Sequence, residues 1–252
     1  MDPSEEKLFY ARLGDLLDRA ERSGCAAFSR FLDERQSALA EQYLRRSAGD
    51  KLFTLWGGFP EARRKMLAVY PEYLRDTVME DFPMECVTFT FRREDKLTHR
   101  DFLGSLMALG LKREAVGDIV TDEGIAQVFV TETAAKAILT SVSKVGRVGV
   151  EVSGGREFCL DAEQEYMEIS GTVASLRLDC VVGLACGLSR DKSAALIRSE
   201  RVDVDHFTVT SVSRELRVGD ILSVRGYGRF ILSGINGLTK KGRIHIEMRK
   251  YI

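Results

Sequence analysis

Three arginines near the C-terminus, Arg190, Arg198 and Arg201, are spaced so that one helical face can present all of them. At 100° per residue, Arg198 lies about 80° around a helix from Arg190, and Arg201 about 20°. Guanidinium forks match the oxygens of phosphates and stack on bases. Lys192, near 200° by the same geometry, points elsewhere, toward a different phosphate or solvent. A second basic group, Arg225 and Arg229, flanks Gly226-Tyr227-Gly228, where glycines let a backbone approach a ligand closely. The chemistry these residues offer is polyanion binding.

The charge distribution agrees. Positions 177–252 hold 14 Lys/Arg and 8 Asp/Glu, a formal net of +6, whereas positions 1–176 hold 23 and 30, a net of −7. The whole chain sums to −1, so the average hides a basic module on an acidic body. Hydrophobic residues at 44% and charged residues at 30% are those of an ordinary soluble globular protein, and 252 residues suffice for one large domain or two to three small ones. No apolar run is long enough for a bilayer crossing, and Ser4-Glu5-Glu6-Lys7 does not begin a signal peptide. Cys25, Cys86, Cys159, Cys180 and Cys186 form no closely spaced pair, which reads as reduced thiols in a cytoplasmic protein, with Cys180 and Cys186 in the core. His99, His206 and His245 make no ligand pattern, so neither metal nor cofactor is expected.

The elements that would position the arginines follow from local signals. Residues 176–186 read as a short apolar-faced helix that Gly187 ends. Ser189 stands at the N-cap of a second helix, with Asp191 in its first turn. Short strands are expected at 202–204, 208–210 and 221–225, with turns at Asp205-His206 and Val218-Gly219-Asp220. The stretch 1–80 reads as helical: one helix to Gly24, a second over 26–46, an aromatic turn over 52–60 and a third helix over 61–69 opened by Pro60. From 85 to about 170 the order is strand, helix, two strands, helix and closing strands at 148–152 and 167–169. That is the split βαβ order of ferredoxin-like and RRM-like folds. The stacked-aromatic RRM signature is not obvious there, so this part gives no RNA reading of its own. The expected class is α+β: a helical domain at 1–80, an RRM-like βαββαβ domain at 81–172, and a basic domain at 175–252.

The order Arg177-Leu178-Asp179, Leu188-Ser189-Arg190, 194–198, Val202-Asp203-Val204 and Val218-Gly219-Asp220 resembles the S4, or αL, RNA-binding domain. In that family two short helices on a small sheet present basic residues to structured RNA. Members usually carry glycine where Glu200 stands and Asn-Gly where Asp205-His206 stands. Three more segments, 57–65, 110–119 and 224–230, make nearly the whole chain similar to the bacterial YlmH family of ribosome-associated S4 proteins. The resemblance implies binding to rRNA and tRNA on the large ribosomal subunit, in quality control of stalled peptidyl-tRNA complexes. The expected RNA-binding set is Arg177, Ser189, Arg190, Lys192, Ser193, Arg198, Arg201, Arg225 and Arg229, in a monomer with no membrane and no small-molecule substrate.

Competing readings are structural and enzymatic. A solvated helix face would account for Arg190, Arg198 and Arg201, and a tight hairpin for Arg225 and Arg229. Lys240-Lys241-Gly242-Arg243 reads as a basic turn serving solubility or incidental phosphate contact. Pseudouridine synthases carry S4 domains and an Arg-Leu-Asp catalytic loop, but here only the stretch 180–252 follows Asp179, too short for a synthase domain. No phosphate loop, methyltransferase fingerprint or cysteine–histidine pairing precedes it, so no enzyme is expected. A regulatory role linked to cell division, with the acidic body binding a protein, is the remaining alternative.

Overall fold

The computed structural model describes residues 3–155, 157–160, 166–240 and 242–252. Residues 161–165, part of the expected linker, and Lys241 of the basic turn lie outside the described residues. The chain divides into two compact units, 1–162 and 163–252, and its class is mixed α+β.

In the first unit, helix α1 (Pro3–Ser23) buries Phe9, Leu13, Leu16 and Ala20, the spacing of one helical face. Gly24, at φ 64°, ends it. Strand β1 (Ala27–Phe28) follows, then helix α2 (Glu34–Ser47). The helix expected from position 26 therefore starts only at Glu34. Asp33 is the reason: its side chain accepts from Gln36 N while the Gln36 side chain accepts from Asp33 N, a capping box that fixes the first turn.

Residues 52–56, expected as an aromatic turn, form strand β2 (Leu52–Trp56), and the helix expected over 61–69 is replaced by strand β3 (Met66–Tyr70). All of β3 is buried, because it is the middle strand of the order β1-β3-β2. A strand covered on both faces loses the alternation that marks a half-buried one, and its short apolar run then mimics a helix.

The rest of the unit is a four-stranded antiparallel sheet with two helices. Strand β4 (Met84–Thr90) leads to helix α3 (His99–Ala108), strands β5 (Val116–Asp122) and β6 (Ile125–Thr131), and helix α4 (Glu132–Ser141). The small ribbon β7 (Lys144–Val145) and β8 (Val148–Gly149) precedes strand β9 (Glu151–Gly154). The order across the sheet is β5-β6-β4-β9. Val87, Phe89, Val116, Ala126, Val128 and Val130 face Phe102 and Leu106 of α3 and Ile138 of α4. Thr98 and Thr131 stand at the N-caps of the two helices.

Residues 167–169, expected to close that sheet, do not join it. They lie in strand β10 (Tyr166–Val173), which belongs to the second unit. There, helices α5 (Leu178–Cys186) and α6 (Arg190–Arg198) are followed by strands β11 (Val202–Val204), β12 (Phe207–Thr208), β13 (Ile221–Val224), β14 (Gly228–Leu238) and β15 (Ile244–Tyr251). The sheet order is β10-β15-β14-β13-β11-β12, with every pairing antiparallel. Leu178, Val181, Val182 and Ile197 of the helices cover Leu222, Val224, Phe230, Leu232, Ile246 and Met248 of the sheet.

Both expected helix punctuations are present: Gly187 is left-handed at φ 65°, and Ser189 Oγ accepts from Lys192 N. The non-glycine residues with positive φ among those described are Glu200 (56°), Asp205 (49°) and His206 (71°). All three belong to this unit. Glu200 is the left-handed residue that closes α6, where Glu200 N donates to Ile197 O and Arg201 N to Leu196 O, a Schellman arrangement. Asp205 and His206 form the two-residue hairpin between β11 and β12, where two positive φ angles favour Asn-Gly. The S4-like positions at which this chain departs from glycine and Asn-Gly are thus the ones that its backbone strains.

The left-handed conformation costs a residue with a Cβ about 1–2 kcal/mol, and glycine's extra freedom in the unfolded chain returns part of that. Glu200→Gly is expected to stabilise the chain by about 0.5–1 kcal/mol, read as a higher urea midpoint with an unchanged m-value.

Candidate nucleic-acid interface

At the N-terminal ends of α5 and α6 stands one buried carboxylate. Asp179 is 3% exposed. Its Oδ1 accepts from Arg177 Nε at 3.0 Å, and its Oδ2 accepts from an Arg177 terminal nitrogen at 3.1 Å and from Arg190 Nε at 2.9 Å. The Arg177 guanidinium, and then that of Arg190, hold the Asp179 carboxyl down at about 2 against the resistance of burial. The backbone closes the same corner: Leu178 N donates to Arg214 O, Asp179 N to Val212 O, and Leu216 N to Leu176 O. The carboxylate therefore ties α5 to α6 and aims two guanidiniums, while the backbone of the same turn holds the 212–216 loop.

The expected contact residues separate into groups around this anchor. Arg190 keeps 64% of its side chain exposed while one nitrogen serves Asp179; Arg177 keeps 33%. Lys192 and Arg198 are exposed on α6 and have no ion pair among the described residues. Past the end of α6, an Arg201 terminal nitrogen donates to Arg225 O at 3.2 Å, and Arg225 N donates to Arg201 O at 3.0 Å. Arg201 and Arg225 therefore sit together beside the end of α6, although Arg201 is not a helical residue. Ser189 is exposed and caps α6.

Two expected residues are placed differently. Ser193 is fully buried, and its hydroxyl donates to Ser189 O. It packs close to Gly183 of α5, so it positions α6 and offers nothing to a ligand. Arg229 projects from β14 on the side away from the helices, because its neighbour Phe230 fills the core. Its guanidinium lies 5.0 Å over the Tyr251 ring, and Tyr251 meets Tyr166, over which Arg249 lies at 5.8 Å. Sequence spacing does not reveal this cation–aromatic row, because β14, β15 and β10 meet only through the sheet register. Cys186 is a half-buried thiol pushed up to about 11 by burial, which keeps it unreactive.

The first unit contains a contrasting surface. The sheet face turned away from α3 and α4 carries Thr88, Gln127 and Phe129. Gln127 is fully buried: its amide donates to Thr88 Oγ1 and Glu157 O and accepts from Cys159 N and Leu160 N. Phe129 stacks on Phe59 at 5.6 Å and packs on Phe158 at 5.3 Å. The face on which an RRM stacks bases is closed here by the 57–59 turn and the 157–160 segment.

The two other segments singled out in the sequence interlock. Arg64 Nε donates to Val116 O, and an Arg64 terminal nitrogen donates to Phe31 O and Arg113 O. Asp118 accepts from Arg63 N and Arg64 N. Burial, and then the Arg64 charge, lower Arg113 to about 10, still cationic at neutral pH. A Cβ on Gly58 would fall 2.0 Å from the Phe129 ring, and one on Gly117 would fall 2.6 Å from Phe31. These motifs are packing devices, a role that adjacency in sequence could not show.

Comparisons place the chain among known proteins. A family model described as "Putative RNA-binding domain in YlmH" matches residues 78–156. The chain is 33% identical over 224 residues to "Ribosome-associated protein quality control protein P2" of Bacillus subtilis (strain 168), covering 87% of this chain and 85% of that protein. "Cell division protein ylmH from Streptococcus pneumoniae" is a solved structure that is similar with a TM-score of 0.51 and 21% identity, over 62% of this chain and 94% of that one. The last likeness concerns the fold alone.

Because the Asp179 pKa is depressed in the folded chain, its contribution is complete above about pH 4 and disappears as pH falls toward 2. Asp179→Asn is expected to lower stability at neutral pH by about 1–2 kcal/mol. The loss should shrink between about pH 4 and 2, followed by thermal melts across that range. An equal loss at every pH would show that the carboxylate charge is not what matters.

Proposed function

The chain belongs to the YlmH family, and from that premise we propose that it is a non-catalytic RNA-binding protein of the ribosome. Residues 163–252 act in this reading as an S4 domain that grips structured rRNA and tRNA on the large subunit. The cellular task in this reading is quality control of stalled peptidyl-tRNA complexes; the name of the B. subtilis relative supports the ribosome-associated quality control in it. The site of action is the cytoplasm, and the chain acts as a monomer. The observation that carries the reading is the set of exposed basic residues along and beyond α6, Arg190, Lys192, Arg198, Arg201 and Arg225, of which Asp179 holds Arg190 and Arg201 bonds the Arg225 backbone.

The order of the β5-β6-β4-β9 sheet, with its two crossover helices, supports an RRM-like reading of the middle of the chain. Its closed face speaks against base stacking there. The state of Asp179 favours binding over catalysis. A catalytic carboxylate must reach a substrate, whereas both oxygens of this one are engaged by arginines inside the fold.

The best variant to test this keeps the anchor intact. Arg190→Glu would set a second carboxylate against Asp179, so Arg198→Glu/Arg225→Glu is the cleaner choice. Crosslinking and sequencing of RNA bound in cells should show ribosomal RNA and tRNA enriched on the native chain and lost on this variant. In vitro, about five phosphate contacts predict a slope of roughly −3.5 to −4.5 for log affinity against log salt. Affinity indifferent to salt would rule the reading out.

A further inference from the structure

The first unit has its own concentration of arginines, and they line a cavity. A groove of about 730 Å³ runs between α1, the 28–32 segment and the start of α4. Arg12, Arg19 and Arg22 of α1 line one side of it, and Arg30 lines another. Arg12 and Arg19 are two helical turns apart, about 10 Å along the axis. None of the four has a carboxylate partner among the described residues; the one bond made by a guanidinium is Arg22 Nε to Asp18 O, within α1. A second hollow of about 690 Å³ shares Arg19, Arg22 and Phe28, so the groove continues past the end of α1.

These arginines face the cavity within a body that is acidic as a whole. Over positions 1–176, glutamates and aspartates outnumber lysines and arginines, 30 against 23. Three of these carboxylates, Asp15, Glu114 and Glu132, also line the groove, and among the described residues none is drawn into an ion pair with the four arginines. The lining is not wholly polar: Phe9, Phe28 and Pro83 supply apolar surface beside the guanidiniums. A nucleotide needs both kinds of surface, cations for its phosphates and an apolar wall for its base. The volume lies within the range of cavities that enclose such a ligand.

We propose that this arginine-lined groove is a second RNA site, taking the phosphates and one base of a single-stranded RNA segment. It rests on the reading of the chain as an RNA binder and adds a surface that the S4-like unit does not supply. It also answers a difficulty in the first unit. An RNA-binding family model matches residues 78–156, yet the sheet face on which bases would stack is closed by Phe59, Phe129 and Phe158. The groove uses Pro83, Glu114 and the start of α4 from within that match and takes its cations from α1 and Arg30 outside it.

The experiment is equilibrium binding of the full chain to a labelled single-stranded RNA and to large-subunit ribosomal RNA, across a salt series. The chains compared are the native one, Arg12→Glu/Arg19→Glu, Arg198→Glu/Arg225→Glu, and all four changes together. Both α1 positions are exposed, and Arg12→Gln/Arg19→Gln removes the charge without reversing it should the glutamates lower the melting temperature. The expected result is at least a tenfold weaker grip on single-stranded RNA for the α1 variant and a salt slope shallower by about two. Unchanged affinity and slope for the α1 variant overturn the groove, whatever the other pair does. Loss in the α1 variant alone, with Arg198→Glu/Arg225→Glu binding normally, upholds the groove and overturns the S4 reading.

Discussion

A carboxylate with 3% of its surface exposed has to be neutralised where it stands, and Asp179 recruits two arginines to do so. An isolated charge in that position would be expensive, and removing one partner of a buried pair costs more than the pair contributes. The second unit is organised by this requirement. The first turn of α5 and the first residue of α6 meet at this side chain, and backbone hydrogen bonds of the same turn hold the 212–216 loop. It also divides labour among cations. Arg177 and Arg190 are partly committed to the fold, while Lys192 and Arg198 are not, so Arg190 and Arg198, which share a face on a helical wheel, differ in what they can offer a phosphate.

The first unit settles a comparable requirement with dipoles and rings. Gln127 is buried with each end of its amide bonded to neighbouring chain, and Arg64 spends its donors on three backbone carbonyls. Such satisfied polar centres hold a particular packing in place, since any rearrangement strands a donor or acceptor. Here they hold an aromatic layer shut over a sheet, and that moves any ligand surface to the outside of the unit.

Legibility follows the range of the interactions. Local devices are readable in the chain: Ser189 as a cap, Gly187 as a stop, and Thr98 and Thr131 as helix openers, because each acts within four residues of itself. The Asp33–Gln36 box is just as local, yet the apolar residues Phe28, Phe31 and Leu32 before it suggest an earlier start and hide it. Strand β3 mimics a helix because burial on both faces erases its alternation. Of the candidate contacts, the α6 residues can be grouped by angle alone. Ser193 facing inward and Arg229 facing away from the helices depend on the packing of α5 on α6 and on the register of β14.

Strand β10 carries a consequence of its own. It pairs with β15 along its whole length, 166–173 against 244–251, and Gly171 lies so close to Leu184 of α5 that a Cβ there would come within 2.5 Å. A chain divided near position 175, where composition suggests a border, would strip this strand away. The long strand β15 would become a bare sheet edge, alternating Ile246 and Met248 with exposed polar residues and offering a row of unsatisfied backbone groups. Edges of that kind recruit another strand from a neighbouring molecule. In the intact unit the edge passes from β15 to β10, so the segment that precedes the helices is part of the sheet and not a linker.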